Sequence, residues 1–282
     1  VRTSFDFGPQ LVLSRHFGTE ITQNFVTEGW NEKEDAMPVL AKKVTYVPGT
    51  YAKRRPDYAK TAEAVMLAWG KKRQEATSEK VKPAGIPPTI CFSRKIGVGA
   101  LEIADLLALK FGCRVADRLI LERIAAKKGL NKKAVKFFDE RYPGKMSELA
   151  AFLFGDKSFT MGDYTKALFG SIFALAQDEP TIFVGRGSHL VLPRDGVLAV
   201  RCICSKAYRI KRLAKILKVS ESEAEKELDA ADKEQREFFR KVFRRNDASP
   251  YEFDLVINMD FMEKPKWAAD IVETAFRLKF GD

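Results

Sequence analysis

From Thr89 onward, short apolar runs alternate with longer amphipathic ones, and this alternation most restricts what the chain can become. Five runs are short and almost continuously apolar: Thr89–Ser93, Cys113–Ala116, Thr181–Val184, Val197–Cys204 and Asp254–Asn258. Runs of this length and composition read as strands buried on both faces. Helical spacing fills the intervals. Leu101, Ile103, Leu106, Leu107 and Phe111 mark a helix that ends at Gly112. Asp117 caps another, reaching about Lys128, and Asn131 caps a third, to Tyr142. Further helices are expected over Met146–Phe154, Gly162–Gln177, Lys206–Leu217, Ser220–Arg245 and Lys264–Lys279. Ser220 with Glu223 three residues on forms a capping box. Strands separated by helices give an α/β fold: a five-stranded, mostly parallel sheet covered on both faces in three layers. In such a fold ligands bind beyond the carboxyl ends of the strands. The residues that follow the strands therefore carry the functional reading.

Residues 1–85 do not share the alternation. Within them, 55–79 reads as one helix, with Pro56 at its start and Ala62, Val65, Met66 and Trp69 on one face. Pro83-Ala84-Gly85-Ile86-Pro87-Pro88 then breaks any helix and serves as a linker. The expected division is an extension over 1–85 and one α/β domain over 86–282. The net charge of +11 favours anionic partners, nucleotides among them. The basic residues are dispersed among acidic ones on helices, and no nucleic-acid reader motif is present, so nucleic acid ranks last as a partner. No run is long enough for a membrane span, and no basic-then-apolar leader opens the chain. The four cysteines, Cys91, Cys113, Cys202 and Cys204, lie in apolar stretches without metal-type spacing, and only two histidines are present. Reduced, buried thiols and a cytoplasmic setting are expected.

Four constellations follow the strands. Arg94-Lys95-Ile96-Gly97-Val98-Gly99-Ala100 joins the first strand to a helix, an arrangement whose backbone N–H groups can cradle phosphate. It is not the usual phosphate loop, which needs Lys and Ser or Thr after the last glycine. Here Ala100 follows Gly99, with Glu102 two later, and no clear protein ligand for Mg2+ is left. Arg94 or Lys95 could supply the missing charge. Asp117-Arg118 follows the second strand; Asp117 serves as a cap, and Arg118 can reach an acceptor phosphate. Gly185-Arg186-Gly187 follows the third, and its glycines leave the guanidinium of Arg186 free to enter a cleft. Arg209, Arg212, Arg236 and Arg240 lie on the two long helices, with Asp232, Arg236 and Arg240 at four-residue steps. They read either as a salt-bridged helix surface or as a lid that closes over transferring phosphates.

Taken in order, TICFSRKIGVGALEIA, ADRLILERIA, FDER around Asp139, TIFVGRGSHLVL, ELDAADKEQREFF and YEFDLVINM make the chain from about Pro88 to Phe276 resemble the cytidylate kinase-like family. The resemblance implies a P-loop kinase fold with a helical acceptor-binding insertion and a lid. It implies ATP with Mg2+ as donor and a pyrimidine nucleoside monophosphate such as CMP or dCMP as acceptor. By position, Gly97, Val98, Gly99 and Ala100 would form the donor loop, with Arg94 and Lys95 beside it. Asp117, Arg118 and Arg186 would bind the acceptor. Arg186, Arg209, Arg212, Arg236 and Arg240 would be catalytic or lid arginines, oriented by Asp232. Family members usually carry Gly-Ser-Gly-Gly in the loop, and authentic cytidylate kinases have Asp where this chain has Gly187. An inactive nucleotide-binding protein that retains the kinase fold is the alternative. Leu13-Ser14-Arg15-His16-Phe17-Gly18 echoes Phe92–Gly97, and chance is the simplest account of it.

Overall fold

The computed structural model of the chain describes residues 86–126, 162–262 and 264–281, together with Ala64 and Val135, which are both helical. The rest of 1–85 lies outside the described residues, including most of the expected helix at 55–79 and the echo at 13–18. So do Glu263, Asp282 and, Val135 apart, the helices expected over 131–142 and 146–154.

The strands are β1 (Thr89–Arg94), β2 (Arg114–Asp117), β3 (Thr181–Val184), β4 (Val197–Ile203) and β5 (Leu255–Asn258). Between and after them run α1 (Ala100–Phe111), α2 (Arg118–Ala126), α3 (Asp163–Asp178), the short α4 (Ser188–Val191), α5 (Lys206–Leu217), α6 (Glu221–Phe243) and α7 (Pro265–Phe280). The five strands form one sheet in the order β2-β3-β1-β4-β5. Every pairing in it is parallel. Parallel strands need both faces covered, and the side chains of β1 show how this is met. Ile90 and Phe92 point to one face and pack with Ile182, Val184, Leu198 and Val200 beneath α1 and α7. Cys91 points to the other and packs with Phe183 and Ala199 beneath α3.

The strand ends differ from the sequence reading by a residue or two. β4 stops at Ile203, so Cys204 lies beyond the strand, although Cys202 and Cys204 still pack on the same core cluster. Cys113 precedes β2 and Asp117 closes it. All four cysteines are free thiols. Burial pushes Cys91 and Cys202 up to about 12, which removes them from thiolate chemistry. Among the described residues no helix is long and apolar enough to cross a membrane.

Two features position the site. The capping box starts α6 as expected: Ser220 Oγ accepts from Glu223 N–H, and the Glu223 carboxylate accepts from Ser220 N–H. Beyond it, Ile96 of the loop packs with Leu213 of α5 and with Ala224 and Leu228 of α6 in a small cluster of its own. This cluster ties the α5–α6 hairpin to the loop between β1 and α1.

Candidate active site

The loop after β1 turns twice through left-handed backbone, with φ of 88° at Gly97 and 92° at Gly99, the residue that caps α1. A non-glycine side chain is strained at either position. It would also be crowded. A Cβ on Gly97 would lie 3.2 Å from Arg209 Cβ, and one on Gly99 would lie 3.3 Å from Arg212 Nε. Arginines of α5 therefore lie directly against the loop, where the sequence gives no lysine. Each has a carboxylate partner. Arg209 Nη1 donates to both oxygens of Asp232 at 2.9 and 3.0 Å, and the pair is almost fully buried. Arg212 Nη2 pairs with Glu102 Oε1 at 2.6 Å. Ala100 is only 2% exposed and packs in the core, so it offers no polar group to a ligand.

On the other side of β1 a second cationic group gathers. Ser93, Arg94, Arg118, Gly185, Arg186, Gly187, Gln235, Phe238 and Phe239 line one pocket. The residues come from the ends of β1, β2 and β3 and from one face of α6, as a switch-point crevice requires. Arg94 brings its guanidinium to within 3.6 Å of where a Gly185 Cβ would be. Arg186 adopts φ 53°, a strained value for a residue with a side chain. Its guanidinium carbon lies 3.9 Å from the centroid of the Phe238 ring. Burial, then the charges of Arg118 and Arg94, hold Arg186 down to about 8, with Glu234 opposing them. Arg118 meets both carboxylate oxygens of Glu234, the Nη1 contact at 3.3 Å. Asp117 caps α2, its Oδ1 accepting from Ile120 N–H at 3.2 Å. Burial and the nearby Asp117 carboxylate push Asp105 up to about 6.

Gly187, where authentic cytidylate kinases have Asp, has a packing reason. Its φ is 69°, and a Cβ there would fall 2.4 Å from Phe243 Cζ. The ring of Phe243 occupies the space a side chain would need.

The candidates thus divide. Arg94, Arg118 and Arg186 line one pocket, with Asp117 at its α2 edge. Gly97, Val98, Gly99 and Ala100 form the loop, faced by Arg209, Arg212 and, through Arg209, Asp232. Lys95 is exposed, and Arg94, considered a stand-in for the loop lysine, turns toward Gly185 instead. Arg236 is exposed, and Arg240 Nε donates to Asn246 Oδ1 at 2.8 Å outside the pocket. Steps of four advance about 40° around a helix, so Asp232 faces inward while Arg236 and Arg240 have rotated outward. Gln235, Phe238, Phe239 and Glu234 did not stand out in the sequence, and Glu102 did so only for its place two after Ala100. The spacing of Gln235, Phe238 and Phe239 on one helical stripe was the available signal. It also passed over Arg201, which donates to Ser93 Oγ at 3.1 Å.

Strand order, the glycine turn after β1 and the arginines at the strand ends define an α/β protein of the P-loop kinase type. The chain belongs to the cytidylate kinase-like family, whose model matches residues 89–261, more than half of its length. Among curated proteins none matches it in sequence. A solved structure of an uncharacterized protein from Eubacterium ventriosum ATCC 27560 is similar in fold at TM-score 0.52 and 18% identity, over 67% of this chain and 98% of that one. A shikimate kinase from Bacteroides thetaiotaomicron also matches, at TM-score 0.34 and 13% identity over 67% of this chain and 96% of that one. So does a dephospho-CoA kinase from Campylobacter jejuni, at TM-score 0.29 and 14% identity over 68% of this chain and 97% of that one.

Proposed function

We propose that the chain is a nucleoside monophosphate kinase that moves a phosphoryl group from ATP to a pyrimidine nucleoside monophosphate of the CMP or dCMP type. The observation that carries this reading is the convergence of Arg94, Arg118 and Arg186 on one pocket beside a glycine loop. Three guanidiniums aimed at one place favour a multiply charged anion, and Arg presents paired donors suited to phosphate. Family membership supports a nucleotide as the substrate.

In this reading Gly97–Ala100 and the start of α1 hold the donor phosphates through backbone N–H groups, which the glycine cradle suits. Arg212 supplies charge there in place of the lysine, and Arg209, held by Asp232, backs the loop. Bound ATP supplies the transferred group: its terminal P–O bond breaks, a P–O bond to an acceptor phosphate oxygen forms, and ADP leaves. The chain's part is to position the two phosphates and spread the charge that develops between them. A magnesium ion resident on the protein does not fit the loop, because Ala100 has no donor atom and Glu102 is engaged by Arg212. Metal brought with the nucleotide needs little from the protein.

The buried, donor-less Ala100 favours a second reading: a nucleotide-binding protein without turnover. One experiment separates the two. A panel of nucleoside mono- and triphosphates is scored for both binding and ADP release. The kinase reading expects ADP release that depends on CMP or dCMP and falls roughly 10²- to 10³-fold in Arg186→Ala. Binding with no release by folded protein supports the second reading and removes the first.

A further inference from the structure

Among the pocket's arginines, Arg118 is tied by an acidic side chain of this same protein, and the tie is lopsided. The Arg118 side chain, at the start of α2, is 13% exposed, whereas its partner Glu234 comes from α6, 116 residues away, and is 55% exposed. Both oxygens of Glu234 meet Arg118, the geometry that a phosphate or carboxylate ligand would use. Glu234 also opposes the repulsion that Arg118 and Arg94 exert on Arg186, so its charge is felt beyond its own partner.

We propose that Glu234 sets the specificity of the pocket: it is a built-in single negative charge that any ligand of Arg118 must outcompete. The pocket therefore takes phosphate-type dianions and turns away singly charged carboxylates. This inference rests on reading the pocket as an anion site. A ligand carboxylate offers Arg118 no more than Glu234 already gives and has translational freedom to lose. A dianion offers Arg118 a second charge and shares it with Arg186 and Arg94.

The exchange runs through rotation of the Glu234 side chain, which is 55% exposed. Gln235, the next residue, donates from Nε2 to the carbonyl oxygen of Arg94 at 2.9 Å. Phe238, one turn further, lies against Arg186. Together they hold α6 on the pocket while the exposed carboxylate of Glu234 swings into water. Because Glu234 is more than half exposed, its pairing is weak enough to lose to a dianion.

The test titrates inorganic phosphate and, separately, acetate into the full chain by calorimetry. It compares the wild type with Glu234→Gln, which keeps the shape and removes the charge. Glu237→Gln, an exposed acid on the same helix, controls for net charge, and thermal unfolding confirms that the variants fold. The expected result is phosphate binding about fivefold tighter in Glu234→Gln, acetate binding that appears only in that variant, and Glu237→Gln indistinguishable from the wild type. Unchanged phosphate affinity in Glu234→Gln, or an equal gain in Glu237→Gln, overturns the proposal while leaving the anion site standing. If neither the wild type nor Glu234→Gln binds phosphate, the anion-site reading fails and takes this one with it.

Discussion

The two cationic regions on either side of β1 are built in opposite ways. Beside the loop, each arginine has its own acid: Arg209 holds Asp232 in a buried pair, and Arg212 holds Glu102. In the pocket, Arg118 meets the exposed Glu234, and Arg186 is held down to about 8 by burial and by the charges of Arg118 and Arg94. In the first region the fold itself supplies the counter-charges. In the second, an anion bound as proposed would relieve the repulsion on Arg186. Preorganised charge of this kind is what phosphoryl transfer draws on, since most of its catalysis is positioning and electrostatics. On the proposed function, the difference gives Arg209 a structural task and Arg186 a ligand task, although both are buried arginines.

The contrast can be broken by substitution. The largest effect is expected beside the loop. Asp232→Ala leaves the Arg209 charge buried without its partner and should cost about 3–5 kcal/mol in urea unfolding. Replacing both residues by leucine should recover most of that loss. A cost below about 1 kcal/mol would show that the pair is not part of the scaffold and that the division between the regions is wrong. A smaller effect is expected at the pocket wall. Gly187→Ala drives a methyl into Phe243 from a left-handed backbone and should cost about 3 kcal/mol in the same measurement. A near-neutral result would mean that the ring yields easily and that the wall is soft.

The smallest effect concerns Asp105, which lies near the end of β2. Its folded value of about 6 stands above its ordinary 3.8. Below about pH 4 the group is protonated in both states and contributes nothing. Between about pH 4 and 6 the unfolded chain releases the proton first, so native stability falls as pH rises, and the penalty is complete above about pH 6. Asp105→Asn should therefore raise Tm by about 2 °C at pH 7.5 and leave it unchanged at pH 3.5, a modest figure because the group is half in solvent. A gain that is independent of pH would place its origin in packing instead.

Much of this was legible in the chain because the deciding physics was local. Strands buried on both faces read as apolar runs, and Thr181–Val184 falls where the run falls. The capping box of Ser220 and Glu223 spans four residues and needs nothing from elsewhere. Arg94, Arg118 and Arg186 were legible because each follows a strand, and parallel strands deliver their ends to one edge. The partners were not. Arg118 with Glu234, Arg212 with Glu102 and Gln235 with the Arg94 carbonyl join residues far apart in sequence, and no spacing rule points from one to the other. Gly187 shows the same limit from the opposite direction. In sequence it reads as a lost aspartate. In the fold it is the space that Phe243 fills.

The closeness of Arg212 to Gly99 bears on how such a loop could change over time. The guanidinium rests one residue before Ala100, beside the place where a loop lysine would bring its own charge. A lysine introduced at position 100 alone would start from a core-packed site and meet a resident cation of like sign. Removing Arg212 alone would take the cation nearest Gly99 from the loop and strand Glu102. Each single change is expected to cost more than the two made together, which makes positions 100 and 212 a coupled pair.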